Sequence, residues 1–147
     1  MKILYSNQQI YDLIPQRPPM LMIDTVLQSD DHAIRTALTI VEDNIFVNDT
    51  YMVEAGIIEH IAQTAAALAG YEALSRHIPP QLGYIGEVKN FECQTLPSVG
   101  DTIQTRMEII AKMVNVMLVQ ASTSMEQKTI ATCQMKIFIK DENNRNN

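Results

Sequence analysis

The sequence predicts an α+β domain in which a curved antiparallel sheet encloses one long helix. Three observations carry that prediction. A single stretch, Glu54 to about His77, places apolar residues at helical spacing. Strand-like runs flank it on both sides, and the helix is so rich in small side chains that another backbone layer can approach it over much of its circumference.

From the N-terminus, Ser6 or Asn7 can cap a short helix that carries Ile10, Leu13 and Ile14 on one side, and Pro15 with Pro18-Pro19 ends it. A rigid, extended Pro-rich connection follows. Leu21 to Gln28 favours a strand, Ser29-Asp30-Asp31 a turn, and His32 to Val41 a second strand, together a first hairpin. In the long helix Ile57, Ile58, Ile61, Ala62, Ala65, Ala66 and Ala69 recur at intervals of three and four. At a rise of about 1.5 Å per residue this helix spans roughly 30 Å, but Glu59, His60, Gln63 and Glu72 interrupt it too often for a membrane span. Pro79-Pro80 stops it. Four strand-like stretches follow as an antiparallel meander: Gly83 to Gln94, Asp101 to Met113, Val114 to Met125 and Lys128 to Lys140, with Glu126-Gln127 at a hairpin tip. One helix cannot cover both edges of such a sheet, so at least a dimer with a continuous sheet is expected.

Composition bounds the rest. The chain has 147 residues, 46% hydrophobic and 19% charged, enough for one core; residues 1–140 read as a single domain and 141–147 as a disordered tail. A net charge of −6 argues against a nucleic-acid surface. The N-terminus turns polar before an apolar segment develops, which predicts a cytoplasmic protein. Cys93 and Cys133 lack ligand spacing and read as two buried, reduced thiols, and the scattered histidines His32, His60 and His77 offer no metal site. No cofactor is implied, and no nucleophile-elbow motif is present.

Several stretches resemble one family. Ile14-Pro15-Gln16-Arg17-Pro18-Pro19-Met20-Leu21-Met22-Ile23-Asp24 is similar to the Leu-Pro-His-Arg…Phe-Leu-Leu-Val-Asp opening of the 3-hydroxyacyl-acyl-carrier-protein dehydratases of fatty-acid synthesis, with Gln16 in place of the histidine. Ile57-Ile58-Glu59-His60-Ile61-Ala62-Gln63 resembles that family's Glu-Ala-Met-Ala-Gln stretch, and Gly83-Tyr84-Ile85-Gly86 and Gly100-Asp101 match its glycine-bearing strand and turn. The likeness runs from about Ile10 to Lys140 and implies a hotdog fold. It departs in one place: where the family carries a Gly-His-Phe-Pro segment with its second catalytic residue, this chain reads Asn44 to Glu54 without a histidine. In this respect the chain is similar to shortened relatives from polyene-pigment pathways.

The resemblance implies an acyl thioester, on acyl carrier protein, as substrate and a site at a subunit interface. Dehydration of a 3-hydroxyacyl thioester needs an α proton removed, enolate charge stabilised and the leaving hydroxyl protonated. Glu59, one turn into the helix among Ile57, Ile58 and Ile61, is the expected acid, its pKa raised by apolar surroundings. Gln63, four residues on and on the same face, would orient the carboxylate or a substrate carbonyl. Backbone N–H groups at the helix start suit the oxyanion, with Gly56 admitting the ligand closely and Gly86 approaching it from the strand. His60 points about 100° away from Glu59 on the helix. If the site lies at a subunit interface, as the resemblance implies, the missing base could come from the partner chain's Asn48-Asp49-Thr50 loop, with Asp49 as the candidate, although an Asp in such a turn-like segment is more often a solvated turn residue. Arg17, Arg76, Lys89 and Lys112 could meet a phosphopantetheine phosphate or an acidic carrier but read first as ordinary surface charges, and Met20, Met22, Met52, Met107, Met113 and Met117 read as core filler rather than a tunnel lining. Two rival functions are an acyl thioesterase, with the helix acid activating water, and a non-catalytic acyl-binding subunit of an active paralogue.

Overall fold

A computed structural model describes residues 2–29, 32–79 and 83–139. The strands are β1 (Tyr5–Ser6), β2 (Thr25–Ser29), β3 (Ala33–Thr39), β4 (Val47–Asn48), β5 (Tyr51–Met52), β6 (Gly83–Cys93), β7 (Thr102–Lys112), β8 (Val116–Met125) and β9 (Lys128–Ile139), and the long helix is α1 (Glu54–Ser75). Seven strands form one antiparallel sheet in the order β1-β2-β3-β7-β8-β9-β6, and β4 with β5 makes a separate small hairpin. The sheet wraps the single helix, the hotdog arrangement. The expected tail, Asp141–Asn147, and the tip residues Asp30 and Asp31 of the first hairpin lie outside the described residues.

Period-two burial explains the wrapping. Ile34, Thr36 and Leu38 of β3, Ile103, Thr105 and Met107 of β7, Met117, Val119, Ala121 and Thr123 of β8, and Cys133, Met135 and Ile137 of β9 all face inward and are buried. Against them α1 buries residues on every side, among them Ile57, Ile61, Ala65, Leu68, Gly70 and Ala73. The absence of a side chain at Gly70 is required: a Cβ there would sit 2.0 Å from the Leu13 carbonyl oxygen. The helix ends in a Schellman-type closure, with His77 at φ 57°, its N–H on the Leu74 carbonyl and the Ile78 N–H on the Ala73 carbonyl.

Four expectations are corrected. The strand expected from Leu21 begins only at Thr25, because the Met22 N–H and carbonyl are taken by side chains of α1, Gln63 and His60, and cannot join a ladder. The four C-terminal strands are not a simple meander: β6 lies beyond β9 at the sheet edge, while β7 pairs with β3. Cys133 is buried, and burial pushes its thiol up to about 11, but Cys93 is only half-buried; both are free. Met22, Met52, Met107 and Met117 are core residues, whereas Met20 and Met113 are exposed. Among the described residues no helix is long and apolar enough to cross a membrane.

A polar chain crosses this interior. His60 Nδ1–H donates to the Met22 carbonyl at 2.7 Å, so in the neutral ring Nε2 accepts the Thr105 hydroxyl at 2.9 Å, and Thr105 in turn accepts from Thr123 at 2.6 Å. Beside it Thr64 donates to the His60 carbonyl at 2.9 Å and meets Thr36 at 2.7 Å. Burial drives the imidazole pKa from 6.5 down to about 4, against the opposing pull of the Met22 bond and of the Asp24 charge. A base with a depressed folded-state pKa is fully compatible with folding above its unfolded value and destabilises the fold as pH falls between the two. Denaturant titrations should therefore show stability flat above pH ~6.5 and about 2 kcal/mol lower at pH ~5, with His60→Gln flattening that slope. Glu126 and Gln127, at φ 52° and 67°, form the two-residue β8–β9 turn in left-handed conformations that favour Asn-Gly. Glu126→Asn with Gln127→Gly should raise stability by about 1 kcal/mol, read as a rise in Tm of ~2–4 °C.

Candidate active site

One cleft joins the helix to the free side of the sheet. It is about 240 Å³ in volume and runs along Glu59, Ala62, Ala66 and Ala69 of α1, closed on the other side by Ile137 and Ile139 of β9 and by Gly83, Tyr84 and Ile85 of β6. Positions 59, 62, 66 and 69 lie one above another on a single helix face, so the small residues leave a trough there that a straight apolar chain can occupy. A larger hollow of about 750 Å³ lies on the outer face of the sheet, but it is polar, lined by Arg35, Gln104, Arg106, Ser122 and Ser124, and neither Glu59 nor Gln63 reaches it.

Glu59 is held rather than free. Gln63 Nε2 donates to Glu59 Oε1 at 2.9 Å and to the Met20 carbonyl at 2.7 Å, and its Oε1 accepts the Met22 N–H at 2.5 Å. Every polar atom of this fully buried amide is thereby committed. Gln63 thus orients the carboxylate and ties the Pro-rich segment to the helix, with no capacity left for the expected contact to a substrate carbonyl.

The other expected residues fall differently. Gly56 is buried, its N–H donates to the Val53 carbonyl, and a Cβ there would meet Phe46 Cβ at 2.6 Å and Met52 Cγ at 2.8 Å. Its missing side chain makes room for the β4–β5 hairpin rather than for a ligand. Gly86 yields to the Phe138 ring, 2.0 Å from a would-be Cβ, at a register shift between Ile85 and Glu87; its neighbours Gly83, Tyr84 and Ile85 line the cleft instead. Asp49 sits exposed in the tight β4–β5 turn at φ 62° and does not line the cleft of its own protomer. His60 is turned into the core, as described.

The four cations weighed as phosphate contacts have partners within the chain. Arg17 donates to the Ile14 and Gln16 carbonyls at 2.7 and 2.9 Å and stacks over the Tyr11 ring at 4.2 Å. Arg76 and Lys112 both pair with Glu72, at 2.9 and 2.6 Å, and Lys89 lies 3.8 Å from Glu87. Among the described residues no group of three or more His, Cys, Asp or Glu is placed to hold a metal ion.

Sequence reasoning missed one cleft residue as a functional side chain: Gln16, at the position where the resembled family has a histidine, lines the same cleft as Glu59. Its substitution for that histidine was the available signal.

The family described as ApeP-like, ApeP dehydratase, matches residues 8–146. An uncharacterised thioester dehydrase, BH1850, of Halalkalibacterium halodurans is 23% identical over 96% of this chain and 94% of its own length. Among solved structures, the dehydratase heterocomplex ApeI:P from Xenorhabdus doucetiae superposes with a TM-score of 0.85 at 16% identity, covering 91% of this chain and 92% of that one. The PaaI protein of the E. coli phenylacetic acid degradation operon gives 0.64 at 11% identity, covering 77% and 80%.

The amide of Gln63 makes a testable demand. Gln63→Met keeps the volume but leaves the Met20 carbonyl and Met22 N–H unpaired in the interior, and should cost about 3 kcal/mol, a drop in Tm of roughly 10 °C. Thermal unfolding followed by circular dichroism measures it.

Proposed function

The chain belongs to the ApeP-like dehydratase family, and from that premise we propose that it dehydrates 3-hydroxyacyl thioesters, carried on acyl carrier protein, in a fatty-acid or polyene type of synthesis. The observation that carries this reading is the Glu59 carboxylate, held by Gln63 beside an alanine-lined apolar cleft. The acyl chain lies along the alanine face, and the thioester lies toward the N-terminal end of α1, whose dipole favours the charge that develops on its oxygen. Glu59, protonated, gives its proton to the departing 3-hydroxyl; a second group takes the α proton and returns it to Glu59, leaving a 2-enoyl thioester and water.

The second group comes from another subunit. Among the described residues no histidine lines the cleft, and the cleft's β6 wall belongs to an edge strand that has a neighbour on one side only. Of its large apolar residues, Tyr84, Ile85 and Val88 are 59%, 37% and 36% exposed, which suits burial against a strand laid alongside. In a homodimer the incoming group is Asp49 of the β4–β5 turn. A paralogous partner would bring its own base, and the likeness to a heterocomplex supports that arrangement.

Conversion of 3-hydroxyacyl carrier-protein thioesters, followed by mass change for the chain alone and for the chain co-purified with its partner, tests the reading. Glu59→Gln should lower turnover at least ~100-fold in either state, and unchanged turnover removes the assignment. Asp49→Asn should do the same only if the homodimer is the active form; activity that appears on co-expression and ignores Asp49→Asn places the base on a paralogue. Release of free thiol without enoyl product would instead favour a thioesterase.

A further inference from the structure

The chemistry assigned to Glu59 leaves the buried His60 ring unused. That ring lies between α1, the irregular segment at Met22 and the threonines of β7 and β8, and burial holds its pKa down at about 4. A leucine or methionine would fill the same space without the cost of desolvating an imidazole. Packing alone does not account for a histidine here.

What the ring does is hold one backbone group. No ladder reaches Met22, since β2 begins at Thr25, and α1 takes both of its polar groups. The His60 Nδ1–H donates to the Met22 carbonyl at 2.7 Å, and the Met22 N–H donates to Gln63 Oε1 at 2.5 Å. The two groups flank a single α-carbon, so anchoring the carbonyl sets the direction of the N–H. That N–H in turn sets which way the Gln63 amide faces. With Oε1 on Met22, Nε2 is turned to the Met20 carbonyl and to Glu59 Oε1, at 2.7 and 2.9 Å. Reversed, the amide would set its own oxygen against the carboxylate. At about 100° per residue, Gln63 stands between the other two, about 40° round the helix from Glu59 and about 60° from His60. Thr105 completes the path: its hydroxyl donates to Nε2 at 2.9 Å, which leaves Nδ1 as the protonated nitrogen, and it accepts in turn from Thr123.

We propose that His60 is a positioning residue for the Glu59 carboxylate, acting through Met22 and Gln63 and touching no substrate itself. The proposal rests on the dehydratase reading of Glu59 and adds the means by which its aim is kept. An acid tilted away from the leaving hydroxyl loses rate without losing substrate, since the alanine face that takes the acyl chain does not include His60.

Two amide variants separate this role from packing. In His60→Asn the amide nitrogen can stand where Nδ1 stood and keep the Met22 bond, whereas in His60→Gln the longer side chain carries its amide toward Thr105 and leaves the carbonyl bare. Measured below the unfolding temperature of each, His60→Gln should lower kcat about tenfold with KM within about twofold, and His60→Asn should stay within about twofold of the parent in both. A second readout needs no turnover: hydrogen exchange of the Gln63 side-chain amide, followed by NMR in nitrogen-15-labelled protein and identified by its absence in Gln63→Met. That exchange should quicken at least ~10-fold in His60→Gln and remain slow in His60→Asn. Equal kcat in the two variants of an active protein, or equal exchange of the Gln63 amide, overturns the proposal. The expected exchange pattern without turnover of any thioester, by the chain alone or with a partner, leaves the positioning of the carboxylate standing and overturns the dehydratase reading.

Discussion

A helix with no polar face must be enclosed on all sides, and the buried amide of Gln63 is what makes the enclosure complete. The sheet packs apolar side chains against α1, and elsewhere the helix meets an irregular segment whose backbone polar groups need partners. Gln63 supplies them to Met20 and Met22, and His60 supplies another to Met22. The same amide reaches Glu59, so closing the core and aiming the carboxylate are one arrangement. A residue serving both cannot be exchanged for an apolar one without loosening the segment that carries Gln16.

Much of the architecture was legible because it follows from local periodicity. The spacing of Ile57, Ile61, Ala65 and Ala69 needs only a helix of 3.6 residues per turn to make sense, and the strand-like stretches after Gly83 need only turn residues to part them. What was not legible depends on partners distant in sequence. Leu21 to Asp24 has strand-like residues, but side chains some forty positions away take up the bonds of Met22. The place of β6 beside β9 follows from the crossover that α1 imposes, which no local pattern records.

The site divides the same way. Glu59 and Gln63 were marked by the resemblance, and their spacing of four residues placed both on one helix face. Gly56 and Gly86 show that glycine signals close approach without naming what approaches: here Phe46 with Met52 at the first and the Phe138 ring at the second. Gln16 was visible as a substitution, yet its place in the wall of the same cleft as Glu59 is a property of three-dimensional packing alone.

The edge strand β6 carries a consequence for the fate of the chain. Its eleven residues present an open row of backbone donors and acceptors, a template that a foreign strand could join end over end into insoluble material. Glu87, Lys89 and Glu92 interrupt its apolar residues with alternating charge, so a bare hydrophobic strand is repelled while a neighbour with matching charges is welcomed. The same three side chains thereby break the run that an uncharged strand would need in order to pair along this edge.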